Sequence, residues 1–246
     1  MGSGMNSEEL ILVRHGESTG NVAAAQAYVD RAEVIDIGLR DADVPLSETG
    51  MEQARSLGER WAQEDPATRP TRVWCSPYLR AIQTAEIALK VAGIDLPILV
   101  DERLRDRELG VLDLLTFGGV EARFPGEADR RRWLGKFYHR PPGGESYADL
   151  ILRIRSFLHD LDREAPSERT LIVCHDAVVL AIRYVCERLS ESMILEIGHQ
   201  TPVLNVSLTH LQRLDGGEWE LKSFNDVTHL ETREAPVTEH PGDVDA

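Results

Sequence analysis

Cysteine is scarce in this chain: Cys75, Cys174 and Cys186 are the only three among 246 residues. They are odd in number, widely spaced and free of any CxxC pair, which argues against a disulfide framework and a cysteine-rich zinc site and suits a reducing compartment. The eight histidines form no HxH or HExxH arrangement and no aspartate cluster has an EF-hand pattern, so neither a metal nor any other cofactor is expected. No glycine-rich loop ends in Lys-Ser/Thr, no GxGxxG follows a strand and no GxSxG elbow occurs. These absences count against the usual nucleotide hydrolysis and against an ordinary esterase. No uninterrupted apolar run reaches about 18 residues, so no membrane-spanning helix is expected. The first ten residues lack the basic start and apolar core of a signal peptide, which makes a cytoplasmic location the expectation. Basic residues are outnumbered, 27 Lys and Arg against 42 Asp and Glu, and the net charge of -15 would repel nucleic acid and anionic membrane. A small anionic substrate stays compatible, because a cluster of arginines can reverse the potential inside one cleft.

What is present is a repeated pattern. Leu10-Ile11-Leu12-Val13 is a compact apolar run that turns at once into Arg14-His15-Gly16-Glu17. Thr71-Arg72-Val73-Trp74-Cys75 before Ser76-Pro77, and Thr170-Leu171-Ile172-Val173-Cys174 before His175, have the same form. Each reads as a buried strand delivering polar side chains at its C-terminal end. Helical spacing of apolar residues predicts helices from Ser47 or Thr49 to about Trp61, from about Tyr78 to Val91, from about Ser146 to Leu161, and from about Ala177 to Leu189. Leu204 to Leu211 and Trp219 to Phe224, around Asp215-Gly216-Gly217, predict a late strand pair. The alternation implies a three-layer α/β/α sandwich with a mainly parallel central sheet, and ligands bind beyond the carboxyl ends of such strands. One domain is expected over 1–226, with excursions near 21–44 and 110–144 covering the catalytic face and a loosely held acidic tail over 227–246.

Three strand ends carry the chemistry. A histidine at the first strand tip, His15, can present one ring nitrogen to phosphorus if its other N–H is held by an acceptor. Arg14 matches two nonbridging oxygens in shape and charge, and Gly16 lets the backbone approach a ligand. Arg80, one helical turn after Ser76-Pro77, can point back to the strand tip, and His175 ends the third strand as His15 ends the first. Taken singly, each has an ordinary alternative as a surface or packed residue; Gln83 and Thr84 read equally as supporting donors or plain helix positions. In Asp101-Glu102-Arg103-Leu104-Arg105-Asp106-Arg107-Glu108, one carboxyl group facing the cleft would protonate a leaving oxygen, although the run also suits a solvated loop. Composition leaves open which of the four acids that is.

Taken together, Leu12-Val13-Arg14-His15-Gly16-Glu17-Ser18 with Asn21, Cys75-Ser76-Pro77-Tyr78-Leu79-Arg80-Ala81 with Gln83-Thr84-Ala85, and Val173-Cys174-His175 resemble the histidine phosphatase, or phosphoglycerate-mutase-like, superfamily. The resemblance runs from about residue 9 to about residue 210. It implies a phosphoglycerate-mutase-like fold, a transient phosphohistidine at His15, a phosphate pocket of Arg14, Arg80 and His175, and Asn21 near the phosphate. Asp106, four residues before Gly110, matches the proton donor, where many relatives have glutamate; Glu108 competes for the role. Glu17 and Ser18 belong to the same motif. A narrower similarity around 136–146 and 105–110 is to less characterised microbial, fungal and plant phosphatases, and there Glu145 would order Arg14 or the covering segment, or serve a plain turn. Asp176 departs from the usual glycine after His175 and is expected to act as a helix N-cap with its carboxylate turned from the phosphate.

The resemblance therefore implies a metal-independent, histidine acid phosphatase-like phosphomonoesterase acting on a small phosphorylated metabolite, with a homodimer allowed. Mutase-type phosphoryl transfer shares its first half-reaction, and a noncatalytic phosphate-binding or interaction module is the rival of a different class. The chemistry has one geometric requirement. It fails if His15 stands more than about 8 Å from both Arg80 and His175, against a direct hydrogen bond of about 3 Å.

Overall fold

The computed structural model describes residues 8–164 and 169–240. Six strands form one sheet: β1 (Glu9–Arg14), β2 (Arg72–Cys75), β3 (Ile98–Val100), β4 (Arg169–Cys174), β5 (Leu208–Arg213) and β6 (Trp219–Asp226), in the order β3-β2-β4-β1-β5-β6. The first four run parallel, while β5 pairs antiparallel with β1 and β6 with β5. The expected sandwich is therefore the observed one, with the late strand pair as its antiparallel edge.

Alternation along the central strands separates the two cores. Leu10 and Leu12 of β1 and Ile172 of β4 face α6 (Tyr147–Glu164) and α7 (Asp176–Cys186), where they pack with Leu150, Ile154 and Phe157. Ile11, Val13, Leu171 and Val173 point the other way, onto α2 (Glu48–Gln63) and α3 (Leu79–Ala92), and meet Leu57, Trp61 and Ala85. Each Leu, Ile, Val or Phe side chain fully buried in this way contributes about 1.5–3 kcal/mol. Ser47 caps α2 by accepting from the Gly50 N–H, as its sequence position predicts.

The register fixes the chemistry at one edge. Arg14 is paired with Cys174 across β1 and β4, and the ladder continues one step further through the His15 N–H donating to the Cys174 carbonyl at 2.9 Å. His15 and His175 consequently leave the sheet side by side.

Both excursions contain helices. The first holds α1 (Thr19–Val29) and a 3-10 turn at Asp41–Asp43; the second holds a 3-10 turn at Gly110–Leu112, then α4 (Phe117–Arg123) and α5 (Pro125–Leu134). They are joined to each other: the Ile35 N–H donates to Leu114 O at 2.8 Å, the Thr116 N–H to Glu33 O at 3.1 Å, and Arg123 pairs with Glu33 at 2.8 Å. After α8 (Glu191–Gln200) and the late strands comes a difference from the sequence reading. Residues 227–240, expected to be loosely held, include α9 (Thr228–Thr232) with His229 and Leu230 buried. Gln53 Nε2 donates to Pro236 O and Thr238 Oγ1, both at 2.8 Å, and Thr238 Oγ1 donates to Asn205 Oδ1 at 3.0 Å. The acidic composition hid these contacts because one buried amide and a few isolated buried side chains, Leu230 and His229 among them, rather than a periodic apolar stripe, dock the segment. The last part of the expected tail, 241–246, lies outside the described residues.

Candidate active site

His15 is 3% exposed, and its ring is oriented by its own neighbour. Nδ1 lies 2.7 Å from Gly16 O, an acceptor that fixes the proton on Nδ1 and leaves Nε2 with a lone pair. That lone pair accepts from Arg80 Nε at 3.2 Å. Burial first, then the positive charge of Arg80, pushes the His15 pKa well below its ordinary value, so the ring is a neutral base with its free nitrogen facing a guanidinium. The His175 ring stands with its centroid 5.1 Å from that of His15. The geometric requirement set by the sequence is met on both sides.

Asp106 closes the constellation. Its Oδ2 lies 3.3 Å from Arg80 Nη2 and 3.3 Å from His175 Nδ1, the latter an ion-pair approach rather than an aligned hydrogen bond. Burial pushes the Asp106 carboxyl upward, but His175 and Arg80 outweigh it and hold the group well below the usual carboxylate range. Burial lowers the His175 pKa, and Asp106 offsets part of that. On its other side, His175 Nε2 lies 2.8 Å from Ser76 Oγ, on the residue that directly follows β2. Glu108 points elsewhere and accepts from the Tyr78 hydroxyl at 3.0 Å. Glu145 orders this loop rather than Arg14: it accepts from Arg105 and Arg153 and from the Glu108 N–H at 3.2 Å.

Arg14, also 3% exposed, reaches the same pocket from the tip of β1. One terminal nitrogen donates to Val203 O and the other to His240 O at 3.0 Å, while Nε has no acceptor among the described residues. Burial lowers its pKa, and Asp176 and Asp106 counter that. Asp176 is the first residue of α7, not its cap; that position belongs to His175, and the Asp176 carboxylate accepts from the Ala177 N–H at 2.7 Å.

Other motif residues serve the scaffold. Ser18 caps α1, with Asn21 returning its Oδ1 to the Ser18 N–H at 3.1 Å. Glu17 accepts from Ser47 Oγ at 2.7 Å and lies 3.0 Å from His240 Nε2. Gly16 serves a close approach of another kind from the one read in the sequence: a Cβ there would stand 2.6 Å from Gly50 O, and one on Gly50 2.0 Å from Glu17 O. The loop and the start of α2 touch backbone to backbone. Thr84 Oγ1 accepts from the Gly16 N–H at 3.0 Å, and Gln83 Oε1 from the Leu46 N–H at 2.9 Å, so both ambiguous positions brace loops. The sequence reading missed Asp41, whose carboxylate meets Arg80 Nη1 at 3.0 Å and Nη2 at 3.2 Å, and Asn205, whose Nδ2 donates to His15 O at 2.9 Å. Neither had a local signal, since the partners lie 39 and 190 positions away.

A family model described as histidine phosphatase superfamily (branch 1) matches residues 10–227. The chain belongs to the histidine phosphatase superfamily. Among curated relatives, a 6-phosphofructo-2-kinase/fructose-2,6-bisphosphatase of Caenorhabditis elegans is 31% identical over 219 residues, covering 85% of this chain but 43% of that enzyme. The chain thus spans less than half the length of that relative. Phosphoglycerate mutase-like protein 4 of Arabidopsis thaliana is 28% identical, with 91% of this chain and 87% of that protein covered. Among solved structures, a mycobacterial glucosyl-3-phosphoglycerate phosphatase aligns with TM-score 0.68 at 25% identity, covering 89% of this chain and 99% of that one. This histidine phosphatase chain also has no helix, among its described residues, long and apolar enough to cross a membrane.

Proposed function

We propose that this chain is a phosphomonoester hydrolase that works through a covalent phosphohistidine on His15 and acts on a small phosphorylated metabolite. The observation that carries the reading is the state of His15: a proton held at Nδ1 by Gly16 O and a free Nε2 facing Arg80 Nε at 3.2 Å. A neutral imidazole beside guanidinium groups has few structural uses but is the form needed to attack phosphorus.

In the proposed reaction the phosphate is bound by Arg14 and Arg80, with the amide N–H₂ of Asn21 as a further donor, since its oxygen is committed to the helix cap. Nε2 of His15 forms a bond to phosphorus as the bond to the leaving oxygen breaks, and Asp106 donates the proton that oxygen takes. The free carboxyl is ionised, so protonation requires the incoming phosphate to draw away the positive charge of Arg80 and His175, which raises its pKa. Asp106 then accepts a proton from water, whose oxygen displaces His15. Charge neutralisation and alignment supply most of the acceleration.

The test is a release assay across sugar phosphates, phosphoglycerates, nucleotides and phosphopeptides, with His15→Ala as control. Hydrolysis of at least one small monoester, lost in the control and unchanged by EDTA, is expected. Activity that survives the substitution, or that chelation removes, would contradict the proposal. Phosphate moved to an alcohol acceptor faster than to water would favour a mutase.

A further inference from the structure

The donors of Arg80 are fully used in the structure, and one residue, Asp41, takes most of them through its carboxylate and its carbonyl. Asp41 receives its two terminal nitrogens in a bidentate fork, at 3.0 Å and 3.2 Å, and the Asp41 carbonyl takes Nη1 again at 2.7 Å. This is the geometry in which a guanidinium binds two phosphoryl oxygens. Asp41 comes from the first excursion, while its side chain stays 37% exposed, so it faces both the buried arginine and the mouth of the pocket.

The second excursion and the segment leading into it add carboxylates near the same rim. Glu108 stands on the hydroxyl of Tyr78, whose ring lies 4.9 Å from the Arg80 guanidinium. Asp113 is near enough to Asp41 and Glu108 that, after the loss of surrounding water, their negative charges raise its carboxyl pKa. The nearby cations are already engaged: Arg40 pairs with Asp43 at 2.9 Å, and Arg105 with Glu145 at 2.8 Å and with Glu108 at 3.5 Å, so neither arginine pairs with Asp113. By contrast, Arg14 on the inner side has a buried Nε with no acceptor among the described residues. A donor is therefore free deep in the pocket, and once a phosphoryl group takes the terminal nitrogens of Arg80 in place of Asp41, the Asp41 carboxylate is left beside Asp113 as uncompensated negative charge at the rim.

Resting on the phosphatase reading above, we infer that Asp41 is a specificity-determining residue, selecting monoesters whose leaving group is neutral or cationic and rejecting those bearing a second anionic group. The transferred phosphoryl group reaches the inner arginine, while the alcohol portion sits between Asp41 and the second excursion, where a carboxylate or second phosphate meets like charge. Repulsion of this kind is an effective way to exclude a wrong substrate. It also sets this site apart from what the names of its bisphosphatase and phosphoglycerate-phosphatase relatives describe.

The experiment measures phosphate release from three small esters, O-phosphoethanolamine, glycerol phosphate and phosphoglycolate, by the full chain, Asp41→Asn, Asp113→Asn and His15→Ala. The full chain is expected to show kcat/KM at least about tenfold lower for phosphoglycolate than for the other two, as one unscreened like charge a few ångströms away would cause. Asp41→Asn should recover most of that factor through a lower KM for phosphoglycolate, with glycerol phosphate changed less than about threefold. Asp113→Asn, which does not touch Arg80, should act in the same direction more weakly. Equal or faster phosphoglycolate hydrolysis by the full chain would overturn the inference while leaving the phosphatase reading intact. So would an equal loss on all three esters in Asp41→Asn, which would make Asp41 a prop for Arg80. Release from no ester at all would overturn both.

Discussion

At the scale of single residues, the neutral imidazole of His15 is the decisive feature, and it can be measured directly. Burial and the Arg80 charge place its pKa well below the ordinary 6.5, so ring nitrogen resonances should keep their neutral positions as pH falls through 6.5. A midpoint at or above 6.5 by NMR would contradict the account. Asp106 and Glu108 separate in the same way: Asp106 stands 3.3 Å from both His175 and Arg80, while Glu108 holds a tyrosine hydroxyl. Asp106→Asn should therefore lower kcat by about 10²–10⁴, the usual size of a lost general acid. Glu108→Gln should change it far less, and the reverse order in steady-state assays would exchange the two assignments. The sequence made Arg14, His15, Arg80 and His175 legible as a group because each ends a strand or follows one by a helical turn. It could not separate the pocket from its supports, since Gly16, Glu17 and Ser18 sit in the same motif yet hold α1, α2 and the C-terminal segment.

Elements make predictions of their own. Gln53, fully buried, accepts from the Glu17 N–H at 2.9 Å and donates to both Pro236 O and Thr238 Oγ1, so one amide ties the catalytic loop to the C-terminal segment. Gln53→Ala leaves buried polar groups unpaired and should cost about 2–4 kcal/mol in urea unfolding. It should also make residues 235–240 open to proteases; full protection would show that the segment is held by other means. The acid sensitivity of this region has a definite sign. His229 is pushed down to about 4 by burial and then by Arg60. Between its ordinary 6.5 and that value the unfolded chain binds a proton the folded chain refuses, so stability falls as pH drops across this window. The total is about 3 kcal/mol, and His229→Leu should remove that share of the pH dependence. Parallel unfolding curves for the two proteins from pH 7 to pH 4 would contradict it. The central strands and the helices with broad apolar stripes were readable from periodicity. α1 was not, because Ala27 is its only buried residue and its start rests on the Ser18 and Asn21 cap, so the sequence carries no apolar stripe to find.

Across the whole molecule, the sheet register brings two histidines and an arginine together from residues 15, 80 and 175, and the first of two excursions bonded to each other reaches them through Asp41. That architecture followed from the strand–helix alternation. The docking of residues 227–240 and the approach of Asp41 to Arg80 depended on contacts between distant segments, which periodicity does not encode. The central claim is that His15 becomes covalently phosphorylated. It is tested most directly by quenching the enzyme with a radiolabelled monoester in the first turnover and mapping the labelled peptide. The account predicts an acid-labile, base-stable phosphate on His15 that appears before product phosphate and is absent from His15→Ala. Complete single-turnover hydrolysis with no labelled protein, or label on any other residue, would contradict it.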